Sequence, residues 1–366
     1  MAVYTTIDNP ELYFQSVLWT GNGSNPRTIT FGGDEDMQPN LLWYKCRSHA
    51  VPNILLDSVR TAGNDKELQP DDTTAEGGTS ADADGYISAF TSNGFTLTEG
   101  SSGDHYTNEG SRTFVAWGWK ASGSTASNTN GTNITSTVDA NTTSGFSIVS
   151  WTGDNSGSST VGHGLGKTAE FVAIKNRADS ANWQVKHKNN SANASQSLDA
   201  ADAESSRAGS TNGGIADLSG TTTFGFIAGS AGVPAANGSS DAMIAYVWNS
   251  VQGYSKFGTY TGNNNADGTF VYTGFRPAFV LLKNTADTEN WPIVDNKRDI
   301  DNPTSVYLRA DGGGADQSVT TIDLLSNGFK LRTSGNEFNG SGDTFIYMAF
   351  AEAPLVNSNG VPCNAR

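Results

Sequence analysis

Short apolar runs alternate with clusters of Gly, Asn, Asp and Ser along almost the whole chain. Apolar runs of this length, bounded by turn residues, are typical of β-strands. Residues 198–208 come closest to a helical period of 3.6 residues, and they predict no more than a short surface helix. The pattern therefore predicts an all-β protein.

The strand pattern occurs three times with its landmarks in the same order. Each copy opens on an aromatic residue followed by Thr, Gly and Asn or Asp, continues with an apolar run that ends in lysine, and closes on an aromatic-rich strand. The opening landmarks are Trp19–Asn22, Trp151–Asp154 and Tyr260–Asn263; the apolar runs are Leu41–Lys45, Phe171–Lys175 and Phe279–Lys283; the closing strands centre on Ala116, Ala245 and Ala349. An Asn-Gly-Phe turn, which predicts a hairpin, precedes the closing strand in the first and third copies.

The spacing of the landmarks supports a true repeat. From the threonine of the opening landmark to the lysine the chain advances 25, 23 and 22 residues, and from the lysine to the alanine 71, 70 and 66 residues. Copies of this length exceed solenoid units and match an independent sandwich domain of about 100 residues. We therefore predict three tandem β-sandwich domains, jelly-roll or lectin-like, that share one repeat.

The predicted boundaries follow from the repeat and from composition. Residues 17–121, 145–250 and 253–352 form the three repeats. Residues 122–144, rich in Ser, Thr, Asn and Gly, predict a flexible linker that lets the first repeat swing. Residues 1–16 form an N-terminal anchor segment and residues 353–366 a C-terminal tail.

Charge and targeting signals narrow the class of protein. The 366 residues include 22 Lys and Arg against 37 Asp and Glu, so the net charge is −15. We therefore expect neither nucleic-acid binding nor attraction to anionic lipid. The apolar runs are too short to span a membrane, so no insertion is expected. The chain does not open on a basic and apolar leader, so we expect no signal peptide.

Two corresponding Asp-x-x-Arg elements are candidates for contact with a ligand. They pair Asp57 with Arg60 in the first copy and Asp295 with Arg298 in the third, while the second copy departs from the pattern. A polar ligand contact is one interpretation. The alternative is an ion pair that fixes a loop.

Loop tryptophans are candidates for adhesion. Trp183 and Trp291 follow polar loops after the lysine-closed runs. Aromatic faces stack on sugars and anchor protein contacts, although a tryptophan at such a place also plugs the end of a sandwich core. Acidic clusters such as 34–36 and 71–72 leave structural Ca²⁺ open, and otherwise we expect no cofactor, no metal and no catalytic residue.

Several segments carry a resemblance to a known family. The chain resembles a family of repeated-domain proteins frequent in marine tailed phages, whose members are usually labelled tail-fibre-like. The segments that carry the resemblance are 6–10, 13–14, 19–24, 254–263, 274–280, 325–332 and 347–354. The resemblance implies a virion structural protein, and it carries over no ligand or catalytic residue.

These expectations combine into one functional hypothesis with two alternatives. The first is a non-enzymatic tail fibre or spike adhesin of a bacteriophage virion, assembled in the host cytoplasm, that contacts a host cell-surface glycan or protein. A capsid-surface decoration protein is the alternative, and a glycan depolymerase is the third. Analogy with phage fibres predicts a homotrimer. The N-terminal segment is the expected docking element for other virion proteins, a tail adaptor or the capsid, through Ile7, Pro10, Tyr13 and Phe14.

Overall fold

A computed structural model describes residues 4–78 and 81–363, with the side chains of residues 81 and 82 outside the description. Residues 1–3 of the predicted anchor and 364–366 of the predicted tail lie outside the described residues. The chain is all-β, with six sheets whose strand pairs are antiparallel, which confirms the predicted class. No helix in the described part of the chain has the length and apolar character needed to cross a membrane.

The strands fall into three lobes that follow the three repeats. Lobe 1 comprises residues 14–121, lobe 2 residues 122–250 and lobe 3 residues 251–354. A 3₁₀ helix, Pro10–Leu12, precedes lobe 1. Lobe 1 contains β1 Phe14–Thr20, β2 Arg27–Thr30, β3 Leu41–Cys46, β4 Ile54–Asp57, α1 Ala81–Asp84, β5 Tyr86–Thr91, β6 Gly94–Thr98 and β7 Thr113–Trp119.

Lobes 2 and 3 repeat this plan with additional strands. Lobe 2 contains β8 Ala126–Asn128, β9 Ser136–Asn141, β10 Phe146–Thr152, β11 Thr160–Gly162, β12 Phe171–Asn176, β13 Gln184–His187, β14 Ala194–Ser197, β15 Ser205–Ser206, β16 Gly214–Ile215, β17 Thr223–Ile227, α2 Pro234–Asn237 and β18 Ala242–Trp248. Lobe 3 contains β19 Ser255–Thr261, β20 Phe270–Tyr272, β21 Phe275–Asn284, β22 Pro292–Asp295, β23 Val306–Arg309, β24 Gln317–Ser318, β25 Ile322–Leu325, β26 Gly328–Leu331, α3 Asn336–Asn339 and β27 Thr344–Pro354.

Each lobe is a sandwich-like pair of sheets. The large sheets share the strand order β1-β7-β3-β4, β10-β18-β12-β13 and β19-β27-β21-β22, and the small sheets are β2-β6-β5, β11-β17-β16 and β20-β26-β25. The predicted Asn-Gly-Phe hairpins are confirmed, because Thr91 pairs with Gly94 and Leu325 with Gly328 across two-residue turns. The short helix predicted near residues 198–208 is wrong, since that segment contains β15 instead.

The sheet register corrects one landmark of the repeat. The lysines pair with Val115, Ile244 and Ile346, so Tyr347, and not Ala349, stands where Ala116 and Ala245 stand in the other lobes. The partner strand compensates for the larger side chain. Gly258 lies opposite Tyr347, whereas a valine lies opposite each alanine, and a Cβ at Gly258 would meet the Tyr347 ring and hydroxyl.

Two kinds of apolar core hold the molecule together. Each lobe has a core of its own between its large and small sheets, as Trp151, Phe224 and Val172 illustrate in lobe 2. The opposite faces of the three large sheets share one central core. Its large side chains include Phe14, Trp117, Trp119, Phe171, Trp183, Trp248, Phe279, Trp291 and Phe350. Full burial of a phenylalanine such as Phe279 or Phe350 stabilises the fold by about 1.5–3 kcal/mol.

The flexible linker predicted at residues 122–144 is wrong. Strands β8 and β9 lie within this segment and extend the large sheet of lobe 2 beyond β10. Ile134 and Val138 are buried in the core of lobe 2. The composition misled because β9 is built largely from polar residues that the sheet buries, among them Ser136 and Asp139, while only Thr137 of this strand is fully exposed. Lobe 1 in turn shares the central core with lobes 2 and 3, so the expected swinging repeat is not what the structure contains.

Candidate functional site: the junctions between the lobes

The lysine that ends each central apolar strand crosses to a neighbouring lobe. Each of these lysines is fully buried. Its ammonium group donates to the carbonyl of the residue six positions later in its own lobe and to a loop carbonyl of a neighbouring lobe. The acceptors are Val51 at 2.5 Å and Gly313 at 2.9 Å for Lys45, Ala181 and Thr73 at 2.8 Å each for Lys175, and Glu289 together with Ala201 at 2.7 Å for Lys283. Lobe 1 thus reaches lobe 3, lobe 2 reaches lobe 1 and lobe 3 reaches lobe 2. The three bonds close a ring.

The lysine ammonium groups lie in an environment that opposes their charge. Burial lowers the pKa of Lys45, Lys175 and Lys283 to about 8 each, against the attraction of nearby carboxylates. One such carboxylate recurs at each junction. Burial raises the pKa of Asp71 to about 7, that of Asp199 to about 6, and also that of Asp311. Carbonyl acceptors replace the water that these lysines lose on folding.

A second donor accompanies the lysine at every junction. Eight residues after the lysine, Trp183 donates through Nε1 to the carbonyl of Gln69 at 2.8 Å, and Trp291 to that of Ser197 at 3.0 Å. In lobe 1 the same position is Asn53, which donates to Arg309 O at 3.1 Å. The expectation that the two tryptophans bind a surface ligand is wrong, because they are 0% and 1% exposed. Both tryptophans belong to the central core, which is closer to the alternative interpretation that they plug a sandwich core.

The Asp-x-x-Arg elements are also buried. Arg60 Nε donates to Asp57 at 2.6 Å, and Tyr246 of lobe 2 donates to the same carboxylate oxygen at 2.7 Å. The element of lobe 3 has the same form. Arg298 donates to Asp295 at 2.5 Å, Trp117 of lobe 1 donates to Asp295 at 3.1 Å, and the Arg298 guanidinium lies 5.5 Å from the Trp117 ring. The ligand-contact hypothesis is therefore wrong for these four residues, and the alternative of a loop-fixing ion pair describes them.

An outer ion pair extends two of the junctions. Arg177 of lobe 2 pairs with Glu76 of lobe 1 at 2.5 Å, and Arg47 of lobe 1 pairs with Asp316 of lobe 3 at 2.8 Å. Both acids also bind the buried arginine of their own lobe, at 2.8 Å for Arg60 and 3.2 Å for Arg298. Each of these two junctions therefore contains a chain of charges from the centre of the molecule to its surface.

The junction between lobes 2 and 3 has no counterpart of this charge chain among the described residues. His187 stands at the position of Asp57 and Asp295, and Asn190 at that of the arginines. Register places Met348 where the other junctions have Trp117 and Tyr246. Burial lowers the pKa of His187 to about 3, so its ring is neutral at physiological pH. Glu204 keeps the backbone bond to residue 285 but meets Thr285 instead of an arginine.

The opening landmark of each repeat is a locked turn. The buried side chains of Asn108, Asn237 and Asn339 each bind the Asn or Asp that follows the Thr-Gly pair. The landmark glycines Gly21, Gly153 and Gly262 pass directly over the backbone beside these asparagines, so that a Cβ would overlap a carbonyl oxygen. The strongest motif in the sequence is therefore structural.

The predicted docking residues of the N-terminal segment lie within the molecule. Ile7, Pro10 and Phe14 are buried, and the Phe14 ring stacks on that of Phe350 at 5.3 Å. Tyr13 is partly buried against the central core and packs edge-on against Tyr254 at 5.9 Å. The hypothesis that these side chains dock another virion protein is therefore wrong for the buried three, since they tie the segment to lobe 3.

An exposed groove in lobe 3 escaped the sequence analysis. It lies between strand edges β19 and β20, has a volume of about 380 Å³, and is called the lobe 3 groove below. Its walls carry Phe270 and Tyr272, which are 44% and 48% exposed, together with Lys188 and Lys256. The alternation of residues along β20 does not by itself show which of its aromatic residues face solvent. Aligning β20 with β2 would have revealed them, because Phe270 and Tyr272 stand where lobe 1 has Thr28 and Thr30.

The acidic clusters do not assemble into a metal site in the described part of the chain. No group of three or more His, Cys, Asp or Glu side chains there is arranged to hold a metal ion. Asp71 instead accepts a bond from the backbone of Asn53, and Asp72 from that of Thr74. Both acids of the 71–72 cluster thus fix local loops.

Comparison with known proteins places the chain by family alone. A family model described as a domain of unknown function (DUF7483) matches residues 9–354. No curated protein and no solved structure matches the chain.

Proposed function

We propose, for a chain that belongs to the DUF7483 family, a non-enzymatic role as a structural protein of a bacteriophage virion, namely a tail fibre or spike adhesin that contacts the host surface. The observation that carries the proposal is the ring closed by Lys45, Lys175 and Lys283. It joins three lobes into one body, and the residues of both Asp-x-x-Arg elements contribute to its junctions. The resemblance of the sequence to tail-fibre-like phage proteins supports the same role.

The proposal includes the architecture and the partners. Each lobe is a jelly-roll or lectin-like sandwich, a design that presents loops and strand edges on a stable frame. The chain is assembled in the host cytoplasm and incorporated into the virion, where it attaches to a tail adaptor or to the capsid. Its outward partner is a host cell-surface glycan or protein. Several such contacts on one virion add through avidity, so each needs only modest affinity.

The expected homotrimer is part of this proposal in a modified form. The ring provides within one chain the three-lobed arrangement that three separate chains provide in a trimeric fibre tip. The contact between lobes 1 and 3 through Lys45 uses the same kind of bond as the contacts between lobes 1 and 2 and between lobes 2 and 3. A homotrimer would then be an assembly of three such bodies, with nine lobes.

The second candidate is a capsid-surface decoration protein. The three-lobed ring favours it, because a body with approximate threefold repetition suits attachment at a threefold position of a symmetric shell. This role uses the same fold but directs one face of the ring to the capsid rather than to a host.

Two experiments test the proposal. Cryo-electron microscopy of virions that contain a tagged chain should place density on the tail, and density on the capsid shell would overturn the adhesin in favour of decoration. Purified chain added to host cells before infection should slow virion adsorption, while chain unfolded by heat serves as the control. An unchanged adsorption rate at saturating protein contradicts host contact.

The depolymerase alternative needs its own assay. Incubation of the chain with host polysaccharide should release no new reducing ends. Release of reducing ends that disappears after substitution of a single carboxylate would replace the adhesin with an enzyme.

A further inference from the structure

The three lobes serve as internal controls for one another at the lobe 3 groove. Register places Phe270 and Tyr272 of β20 at the positions of Thr28 and Thr30 in lobe 1 and of Thr160 and Gly162 in lobe 2. The buried residue between them is apolar in every lobe, as Val271, Ile29 and Val161. Lobes 1 and 2 therefore form the same strand with small outward residues. The aromatic pair of lobe 3 is not needed to form the strand, and although the Tyr272 hydroxyl lies 3.2 Å from that of Tyr4, the two side chains remain 44% and 48% exposed, which points to contact with another molecule.

In lobe 2 the corresponding gap is filled by the chain itself. Strand β9 pairs with β10, and Ser136 Oγ at its start donates to Gly162 O at 2.7 Å, while the segment before β9 lies against β11 through a bridge between Asn133 and Thr160. In lobe 2 this packing uses the small size of glycine, because a Cβ at Gly162 would meet the side-chain amide of Asn128. Tyr272 occupies that position in lobe 3. A polypeptide segment laid down as in lobe 2 would therefore have to displace the Tyr272 side chain in the lobe 3 groove.

The charge of the groove differs from that of the molecule. The chain carries a net charge of −15, yet the residues lining the groove include two lysines and no carboxylate. Lys256 lies 5.1 Å from the Tyr272 ring centroid and donates to Tyr272 O at 2.7 Å. Lys188 pairs with Glu170 at 3.0 Å and is partly exposed. Lobe 1 has Gln15, not lysine, at the position of Lys256.

The remaining lining adds polar groups beside the aromatic rings. Asn189 is exposed at one side. Along β19, the Phe257 amide donates outward to Ser250 Oγ at 3.2 Å, so by the alternation of an antiparallel strand the backbone of Thr259 also faces the open edge. The groove thus combines aromatic rings, groups that form hydrogen bonds with hydroxyls, and a positive charge. These groups complement the apolar face, the hydroxyls and the carboxylate of an acidic sugar.

We propose that the lobe 3 groove binds an anionic saccharide, with Phe270 and Tyr272 against the apolar face of a pyranose ring and Lys256 paired with its carboxylate. This inference rests on the proposed adhesin function, for which it names the ligand class. Lys188, paired with Glu170, lies at the rim, and the Thr259 backbone and Asn189 provide hydrogen-bond partners for ring hydroxyls. Specificity against neutral sugars comes from Lys256, since the aromatic contact alone accepts either kind of ring.

Titration calorimetry of the full chain tests the proposal with named probes. Trigalacturonate and 3′-sialyllactose carry the carboxylate, and maltotriose is the neutral control. We expect a dissociation constant of about 1 mM or below for at least one acidic probe, and binding of maltotriose weaker by about tenfold or more. The affinity for the acidic probe should fall with added salt.

The variants follow from the lobe comparison. Phe270→Thr with Tyr272→Thr gives lobe 3 the residues of lobe 1 and should weaken binding by about tenfold or more, with the fold retained by circular dichroism. Lys256→Gln, the lobe 1 residue, should weaken it several-fold and reduce its salt dependence. Ile300→Thr, which removes another exposed apolar side chain of lobe 3, is the matched control and should leave binding unchanged.

Each contrary result has a distinct meaning. The saccharide assignment is overturned if neither acidic probe binds at about 10 mM, if maltotriose binds equally well, or if the double threonine variant binds like the parent chain. Equal binding of hexaglutamate would replace the saccharide with an acidic peptide. These measurements use isolated protein, so they are separate from the virion location and adsorption assays. A chain that slows adsorption while its groove variants do so equally well retains the proposed function and loses this site.

Discussion

Two of the three junctions contain a buried Asp–Arg ion pair, and the third has neutral side chains at the same positions. Arg60 and Arg298 bind buried aspartates at the 1–2 and 3–1 junctions, and an aromatic donor from the adjoining lobe completes each group. At the 2–3 junction the corresponding residues are His187, Asn190 and Met348. All three junctions nevertheless share the lysine and the second donor eight residues later.

The difference separates the bonds that every junction needs to close the ring from the ion pairs that only two junctions contain. The lysine and its carbonyl acceptors are common to the three junctions, so they are the shared requirement. The buried ion pair is an option, which agrees with the general finding that a buried pair contributes little net stability compared with well-packed neutral side chains. Removing half of such a pair is another matter, because an uncompensated buried charge remains.

The largest loss of stability is expected from removing the arginine of a buried Asp–Arg pair while its aspartate remains. Arg60→Met leaves Asp57 buried with Tyr246 as its remaining side-chain partner. We expect a loss of about 3–5 kcal/mol in the free energy of unfolding, measured by urea denaturation at pH 7. Arg298→Met should cost a similar amount through Asp295.

The matched substitution at the neutral junction is the control. Asn190→Met removes bonds to Gln196 and Glu204 but strands no fully buried charge, so about 1–2 kcal/mol is expected. Equal losses for Arg60→Met and Asn190→Met would mean that charge does not distinguish the junctions.

The next largest effect should be the same at all three junctions. Lys175→Met keeps most of the apolar stem but leaves the Ala181 carbonyl without its lysine donor, whereas the Thr73 carbonyl keeps the bond from the Ala181 amide. We expect a loss of about 1–3 kcal/mol from the unpaired acceptor and the lost second bond. Lys45→Met and Lys283→Met should agree with it within about 1 kcal/mol under the same urea titration. A much smaller loss at Lys283 would contradict the idea of a shared lysine frame.

Much of this arrangement was open to prediction from the sequence, and some was not. The repeat, the strands and the all-β class follow from alternation and turn chemistry, which act locally. The burial of Trp183 and Asp57 does not, because it depends on lobes meeting through the outer faces of their large sheets. A lone sandwich would leave those faces to solvent. One signal was present: a lysine at the end of an apolar run in every copy implies a common buried acceptor.

A pH measurement tests whether Glu67, a buried carboxyl group near Arg60, holds a proton in the folded protein. Burial raises the pKa of Glu67 from 4.5 to about 8, opposed in part by Arg60. Because the folded protein then holds this proton more tightly than the unfolded chain, stability falls as pH rises from about 4.5 to about 8. Glu67→Gln should remove this component, so that stability changes less steeply with pH by up to about 1.4 kcal/mol per pH unit.

Chemical unfolding from pH 5 to 8 measures that slope in both proteins. The control is Glu99→Gln, which removes an exposed loop carboxylate of the same lobe. If Glu67→Gln runs parallel to the parent chain, then Glu67 does not hold an extra proton in the folded state.

The smallest effect should come from adding charge to the neutral junction. Thr285 occupies the position of Arg177 and Arg47, and Glu204 donates its backbone N–H to Thr285 O at 3.0 Å as Glu76 does to Arg177. Thr285→Arg should therefore form the missing outer ion pair with Glu204. We expect a gain of at most about 1 kcal/mol, because Glu204 is partly exposed, its carboxylate already accepts bonds from Asn190 and Ser191, and the bond from Thr285 Oγ1 to Thr344 O is lost.

The reverse substitution at the charged junction makes this prediction decisive. Arg177→Thr should lose a comparable amount through Glu76, and both changes should shrink in part as salt is raised, since the side chains of the Arg177–Glu76 pair are 20% and 12% exposed. A gain from Thr285→Arg that persists in high salt would reflect packing rather than charge. A loss of more than about 1 kcal/mol would mean that the 2–3 junction is built around its neutral side chains and does not accept the arrangement of the other two.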